Sequence, residues 1–514
     1  MRIKVGKSRA QTLLFPPSLE QIIDADNVVR LIDAFIDILN LEDFDFVMKP
    51  KKNNEPGAPQ YAASDLLKLY LYGYLNRTTS SRQLEKLCKV NIEVMWLLHE
   101  LCPAHMTINN FRKDNPKGLK KVFRFYNRFL DSQDLFGKKT IAIDGSKFRA
   151  QNSKKNNHNE KSLRLKEAYQ DRKTEEYLSL LDKTDNDEDI LLSKKEIKNK
   201  LKELTARKQK CKNLKQDLAK AKENGELQIS TVDKDARKMR MPNNGVDICL
   251  NVQSAVDDKH SLIADFTVTN KDDKKALSEI AIKVKEEFEV DSIDTLADAG
   301  YFMASELKKC SDANIITYVS PHAPMKGAFS KQAFKYDATN DTYTCPNDQV
   351  LTTNGNWLKR KNRQSYKKYN CSILICEKCP FVKDCLTESG LKNRQARTIE
   401  RMEFDDYVDA NNERIKNNKS YYRKRAKIVE HPFGTIKRNW GYTYSRLRGL
   451  EKIEGEFSLI FLCYNIRRSV SILGVQDLIK ALKAFKTSFL SFFKLFLAIM
   501  SHQIRFNKKL TETY

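Results

Sequence analysis

Residues 139–148 read KTIAIDGSKF. The run from Thr140 to Ile143 is β-like and stops at Asp144-Gly145, the pattern of a strand that carries a carboxylate where its apolar stretch ends. Two more strand patterns follow a long gap, DICLNVQSAVD (247–257) and HSLIADFTVTN (260–270), with Asp257 and Asp258 suited to a hairpin turn between them. DKKALSEIAIKVKEEF (273–288) has helical spacing. SIDTLADAGY (292–301) reads as a short strand closing at Asp298, with Gly300 behind it, and IITYVS (315–320) as another. The order is strand, hairpin of two strands, helix, strand, helix, strand. It predicts an α+β domain, a mixed sheet with helices packed on it.

On the N-terminal side, residues 1–135 read as helical. Val29, Leu31, Ile32, Phe35, Ile36, Ile38 and Leu39 recur at helical spacing. DLLKLYLYGYLNRTTSSRQLEKLC (65–88) looks like two helices around a polar turn, capped at Thr79 or Ser80 and decorated by Arg82, Lys86 and Lys89. This outline suits a helix-turn-helix and equally an ordinary helical bundle. TINNFRK (107–113) and an aromatic helix follow. Between the first two strands, residues 154–245 are highly charged. Ile197, Leu201, Leu204, Cys211 and Leu218 are heptad-like, with lysines at several seam positions, so either a helical hairpin or a solvated excursion is expected there.

The chain carries 92 Lys+Arg against 67 Asp+Glu, a net charge of +25. That excess points to a polyanionic partner, nucleic acid first. MRIKVGKSRAQTLLFPPSLEQ lacks the apolar run of a secretion signal, so a cytoplasmic protein with reduced thiols is expected. FKTSFLSFFKLFLAIM (485–500) is interrupted by Lys486 and Lys494 and falls short of the roughly 20 apolar residues of a membrane span. A packed C-terminal helix and no membrane partner are expected.

Cys345, Cys376, Cys379 and Cys385 carry the spacing of a structural zinc site, with Cys371 as a spare ligand; four unlinked thiols are the alternative. With four thiolates no open coordination position remains for catalysis there.

Metal-dependent phosphoryl transfer needs carboxylates that converge on one point. Asp144 and Asp298 each close an apolar strand run, where an open sheet binds its ligands. Either one alone reads better as a turn, and the two together, in so basic a chain and with a third acid, reverse that balance. Asp233, Asp235, Asp257, Asp258 and Asp294 read as solvated loop or turn residues. A third acid, Glu430, lies in YYRKRAKIVEHPFGTIKRNWGYTYSRLRG (421–449). Glu430 and Lys437 are seven apart, two turns on one face of a continuous helix, with Tyr422 and Arg425 nearby. Pro432 predicts a helix junction at that point.

With these motifs together, the chain from about residue 15 to 470 resembles bacterial insertion-sequence DDE transposases, enzymes of RNase H-like (retroviral-integrase-like) fold. The resemblance rests on TIAIDGSKF, TLADAGYF, the Tyr422, Arg425, Glu430, Lys437 pattern, TINNFRK, the NVQSAVD and LIADFTVTN strands and YNIRR (464–468). It implies that Asp144, Asp298 and Glu430 bind two Mg²⁺ or Mn²⁺ ions, and that Tyr422, Arg425 and Lys437 contact DNA near the scissile phosphate. The Arg-to-Glu spacing is one residue longer than the commonest form of the signature, so Arg423 stands as a substitute for Arg425. Arg446 and Arg448 are further candidates to follow the DNA backbone.

The expected layout is 1–135 for binding DNA ends, 136–153 and 246–335 for the first part of the catalytic core, 154–245 for the charged helical insertion, 336–390 for the Cys-rich zinc-binding insertion, 391–472 for the core helices that carry the glutamate, and 473–514 for a helical tail. The expected function is cleavage at the ends of an insertion sequence and joining of the 3′-hydroxyls to target DNA. The partners would be double-stranded DNA (terminal inverted repeats and target) and a second copy of the chain, in a bacterial, nucleoid-associated setting. A metal-dependent nuclease of the same fold, or a non-catalytic DNA-binding derivative, are the alternatives.

Overall fold

The computed structural model describes residues 17–47, 59–184, 194–241, 245–322, 329–360, 364–393 and 395–486. The central sheet is built around β1 (Thr140–Arg149), whose first four residues are all buried, as a strand covered on both faces requires. β2 (Arg237–Arg240), β3 (Val246–Asp257), β4 (Ile263–Thr269), β5 (Ile293–Ala297) and β6 (Ile315–Val319) complete it. β3 runs antiparallel to β1, from Ile141 opposite Asp257 to Arg149 opposite Cys249. Its other edge takes β2 and β4 end to end. On the far side of β1, β5 and then β6 add in parallel. With β2 set aside, the order is β4-β3-β1-β5-β6, the mixed sheet of an RNase H-like α+β core.

Four of the aspartates expected to be solvated are not. Asp257 is fully buried at the end of β3, where its carboxylate accepts the backbone N–H groups of Gly137, Lys138 and Lys259, each at 3.0 Å. Asp233 is buried and accepts the Gly449 N–H at 3.3 Å. Asp235 takes the Leu450 N–H at 3.0 Å, and Asp294 the Tyr421 hydroxyl at 2.6 Å. Their acceptor capacity satisfies backbone and hydroxyl donors that the loops would otherwise leave unpaired.

The N-terminal helices and the helices after the sheet share one continuous core with it, while the hairpin between β1 and β2 has a small core of its own. α1 (Ala63–Leu75) and α2 (Ser81–Val90) flank the polar turn seen in the sequence. A Cβ on Gly73 would lie 2.4 Å from Leu84 and 2.6 Å from the Thr78 carbonyl, so the pair packs this closely only because position 73 has no side chain. α3 (Pro116–Ser132) starts on a proline, whose missing N–H costs nothing at that position. α4 (Glu160–Thr184) and α5 (Lys194–Glu223) form an antiparallel hairpin. Ile197, Leu204, Cys211 and Leu218 are its buried seam. The lysines beside that seam are neutralised: Lys208, Lys215 and Lys222 pair with Asp171, Glu167 and Glu160 of α4.

α6 (Leu277–Glu287) and α7 (Ala304–Asp312) make the crossovers into β5 and β6. α8 (Lys419–Phe433) packs across β1, β3 and β5, then widens into a π-helical turn, Gly434–Asn439. The expected junction therefore falls after Glu430, not at it. Helix continues through buried Pro432, and the wide turn respaces the hydrogen bonds that its missing N–H disrupts. α9 (Leu450–Leu473) is core, and its Asn465 side chain ties Asn127 of α3 to the backbone of Ile263.

Among the described residues no single helix is long and apolar enough to cross a membrane. Leu450–Leu473 and Val475–Lys486 pass that test only as a pair bent by 109°. Residues 487–514, most of the expected C-terminal tail, lie outside the described residues.

A second sheet holds β7 (Lys335–Asp337), β8 (Thr342–Thr344), β9 (Val350–Thr353), β10 (Tyr366–Asn370) and β11 (Thr398–Met402), antiparallel and in sequence order. It has its own small core of Phe334, Tyr343, Leu351, Tyr369, Cys371 and Ile399. Its last strand runs past residue 390.

Candidate active site

The parallel register of β1 and β5 sets Thr140 beside Asp294 and Ala142 beside Leu296. Continued two residues along each strand, it brings Asp144 level with Asp298, one strand spacing away and on the same face. Asp144 is not the end of its strand, as the sequence had suggested: β1 runs on to Arg149 because β3 stays paired to that point. Asp298 does follow the last residue of β5, and its carboxylate turns to accept the Gly300 N–H at 2.8 Å.

Gly145 is likewise not a turn residue. It faces Gln253 of β3, and a Cβ there would lie 2.4 Å from the Gln253 amide nitrogen and 2.5 Å from an Asp273 oxygen. The gap left by that missing side chain lets a third acid approach. Asp273 enters from the loop after β4, and its Oδ1 accepts the side-chain amides of Asn251 (2.7 Å) and Gln253 (2.5 Å). The buried Tyr301 hydroxyl donates to the other end of the Gln253 amide. A neutral scaffold of two amides and a phenol thus holds Asp273 beside the aspartate pair.

Sequence reasoning passed over Asp273. A signal was present, since Asn251 and Gln253 are polar residues at i and i+2 of a strand whose neighbouring positions, Leu250, Val252, Ala255 and Val256, are apolar, and so they share a face.

The charges agree with this convergence. Burial, and then the charge of Asp298, push the Asp144 carboxyl up to about 6; Arg425 and the Gly145 N–H pull it down, and Asp273 pushes it up again. Tyr422 donates to the Ala297 carbonyl at 3.3 Å, beside Asp298.

Glu430 is not drawn into this group. It is exposed on α8, with no hydrogen-bond or ion-pair partner for its side chain among the described residues, while its neighbours Ile428, Val429 and Phe433 face the core. Lys437 is engaged near the pair: its ammonium donates to the Lys147 carbonyl at 2.7 Å, lies 4.2 Å from the Phe148 ring centre and is close enough to feel the charge of Asp144. The π turn between Glu430 and Lys437 removes the simple two-turn relation that a straight α-helix would give them. Arg423 and Arg448 are exposed. Arg446 ties Thr79 of the α1–α2 turn to its own segment. Among the described residues no three His, Cys, Asp or Glu side chains form a group ready to hold a metal ion.

Cys345, Cys371, Cys376, Cys379 and Cys385 line one small apolar cavity beside the second sheet. The Cys345 sulfur accepts the backbone N–H groups of Asn347 and Gln349, both at 3.3 Å. Burial pushes the Cys385 thiol up, and so does the proximity of Cys376, Cys379 and Cys345.

The strand order is that of an RNase H-like sheet, and Asp144, Asp298 and Asp273 come together at one end of it. Residues 17–114 match a family described as Transposase domain (DUF772), and residues 344–470 match one described as Transposase DDE domain. The first match precedes the strands of the central sheet in sequence and the second, the one described as a DDE domain, follows them. The second match contains Glu430 and the cysteines, whereas Asp144 and Asp298 lie before it. No curated protein matches the chain. A solved piggyBac transposase synaptic complex with hairpin DNA aligns at 9% identity over 90% of this chain and 80% of that one, with a TM-score of 0.30.

Proposed function

We propose that this transposase cuts DNA at the ends of its own element and joins the freed 3′-hydroxyls to target DNA, with Asp144, Asp298 and Glu430 as its catalytic carboxylates. The reading is supported by the parallel β1–β5 register, Ala142 beside Leu296, which continued forward leads to Asp144 and to Asp298 just past the end of β5, with α8 packed on both strands and the Asp298 charge felt at Asp144. The donor chemistry fits a hard divalent cation: two carboxylates repel each other in a half-buried site, and an ion would neutralise them. Mg²⁺ or Mn²⁺, when bound as a pair, polarises the phosphate and favours the attacking hydroxyl. In this reading Glu430 is the third ligand, supplied from the open side. Asp273 orients the pair through its amide scaffold. Arg425 and Tyr422 border the reacting phosphate. Arg423 and Arg448 follow the DNA backbone, and Lys437 and Arg446 act there only after giving up their present contacts. A homodimer would bring two DNA ends together.

The cysteine group is proposed as a structural Zn²⁺ site of Cys345, Cys376, Cys379 and Cys385. Its support is the convergence of thiols on one cavity and the paired N–H donors on the Cys345 sulfur, which suit a thiolate. Metal analysis of the purified protein tests this, and a chain free of zinc and indifferent to chelators removes the proposal.

For the catalytic reading, purified protein is mixed with DNA that flanks its own gene, with Mg²⁺ or Mn²⁺, beside Asp144→Asn. Site-specific cuts that leave 3′-hydroxyls and vanish in the variant are expected, together with products joined to a second DNA. Folded protein that binds this DNA but never cuts it overturns the catalytic assignment.

A further inference from the structure

A cavity of about 520 Å³ lies at the far end of α8, beyond Glu430. Its rim carries four arginines from three separate elements: Arg77 from the α1–α2 turn, Arg438 from the π-helical turn, and Arg467 and Arg468 from α9. No carboxylate lines it. Arg77, Arg438 and Arg467 are exposed, and none has an acidic partner among the described residues. Arg468 is fixed by two bonds to the His260 carbonyl, at 3.0 and 3.1 Å. Buried Trp440 forms part of the wall, with the Arg467 guanidinium 5.9 Å from its ring centre. His431 is held to the Tyr464 hydroxyl at 2.6 Å.

Four guanidiniums that share a concavity repel one another, and elsewhere this chain neutralises its packed cations with acids, as along the α4–α5 seam. An uncompensated group of this kind is complementary to an anion with several oxygens. Guanidinium forks match phosphate oxygens in pairs, which lysines do not.

We propose that this cavity is a seat for one backbone phosphate of bound DNA, gripped by Arg77, Arg438, Arg467 and Arg468. The inference deepens the transposase reading and rests on it for the identity of the polyanion. Its place adds a consequence. A phosphate held here contacts the N-terminal helical pair, the turn that ends the Glu430 helix and the core helix α9 together, so the strand would be registered against the catalytic helix by its backbone and not by its bases.

The test is binding, not cutting. A duplex of the flanking DNA is titrated against the whole protein at several salt concentrations, for wild type and for the Arg438→Ala, Arg467→Ala double variant. The variant is expected to bind about tenfold more weakly, with a log–log salt slope shallower by about one. Arg438→Lys, Arg467→Lys keeps the charge without the fork and should recover only part of the loss. Ethylation interference supplies the second readout. One phosphate whose ethylation weakens wild-type binding should lose that effect in the double alanine variant.

If wild type binds with a steep salt slope and a folded double variant shows the same slope and the same interference pattern, the seat is wrong while the transposase reading stands. If wild type shows no salt-dependent DNA binding, both fall. Single Arg467→Gln, at an exposed position, keeps the test open should the double variant fold poorly.

Discussion

The two larger sheets among the described residues are stabilised in different ways, and the difference bears on where chemistry can reside. The central sheet buries β1 on both edges and joins a core continuous with the flanking helices. Its cohesion is mainly apolar, with polar struts such as Asp257 at the strand ends, so Asp144, Asp298 and Asp273 can gather at one place although they repel one another. The second sheet has strands of three to five residues and a core of six side chains, two of them tyrosines. Its polar groups are spent on the fold. Asp341 accepts the hydroxyls of Tyr336 and Tyr369 and pairs with Lys367. Buried Arg401 bonds Tyr343, Asp406 and Asp409 and lies 3.6 Å over the Tyr336 ring. Where apolar burial suffices, polar residues are free to act; where it does not, they become struts.

The largest effect expected from this contrast is chemical. Asp298→Asn should lower cleavage by about three orders of magnitude, the scale for loss of a charge-stabilising group at a reacting centre. Stability should hold or rise, because removing the Asp298 charge relieves the Asp144 carboxyl of its largest charge repulsion. Activity and thermal unfolding measured on one preparation decide it. An active variant, or one that unfolds early, would make the aspartates structural.

Its mirror image is Arg401→Ala. The second sheet should lose about 3 kcal/mol of local stability, since a buried cation with several partners is removed. Hydrogen exchange should rise across β7–β11 and stay unchanged in β1 and β5. An equal rise in both sheets would mean that they unfold as one unit.

How much of this was legible in the sequence follows from the same contrast. β1, β3, β4, β5 and β6 announce themselves because runs such as TIAI and IADFTV are apolar over a strand's length, and burial on a sheet needs nothing else. The helical hairpin is legible for the same reason, through Leu204, Cys211 and Leu218. The α+β class and the proximity of Asp144 to Asp298 follow from strand order. The continuation of β1 past Asp144 does not, because Asp-Gly reads as a turn and only pairing with β3 shows otherwise. Asp273 depends on amides twenty or more positions away, and the arginine seat on three segments brought together by packing. The π-helical turn, which separates Lys437 from Glu430, has no local pattern that periodicity detects.

A change at Gly145 sharpens the comparison from inside the central sheet. Gly145→Ala puts a methyl where Gln253 and Asp273 already stand. Overpacking should cost about 1–3 kcal/mol, and activity should fall with it, because the group that must move is the Asp273 scaffold. Denaturant unfolding and cleavage should therefore shift together here, unlike in Asp298→Asn. A silent Gly145→Ala would show that the scaffold gives way freely and does not position Asp273.

The smallest effect belongs to the second sheet and depends on pH. The Tyr369 hydroxyl, then Lys367 and the Tyr336 hydroxyl, pull the Asp341 carboxyl down to about 2 from an ordinary 3.8, against a burial penalty. A carboxyl depressed on folding adds stability above its unfolded value and loses it as pH falls toward the folded value. Asp341→Asn should therefore destabilise this sheet at neutral pH, by about 1 kcal/mol for a partly exposed charge-assisted bond. The gap from wild type should narrow as pH falls from about 5 toward 2, where both chains carry a neutral group. Tyrosine fluorescence followed through denaturant titrations at several pH values measures that gap. A gap independent of pH would assign the loss to the shape of the amide and not to the missing charge. Asp341 would then hold the sheet by the fit of its oxygens to the two tyrosine hydroxyls, and its charge would not be what makes it a strut.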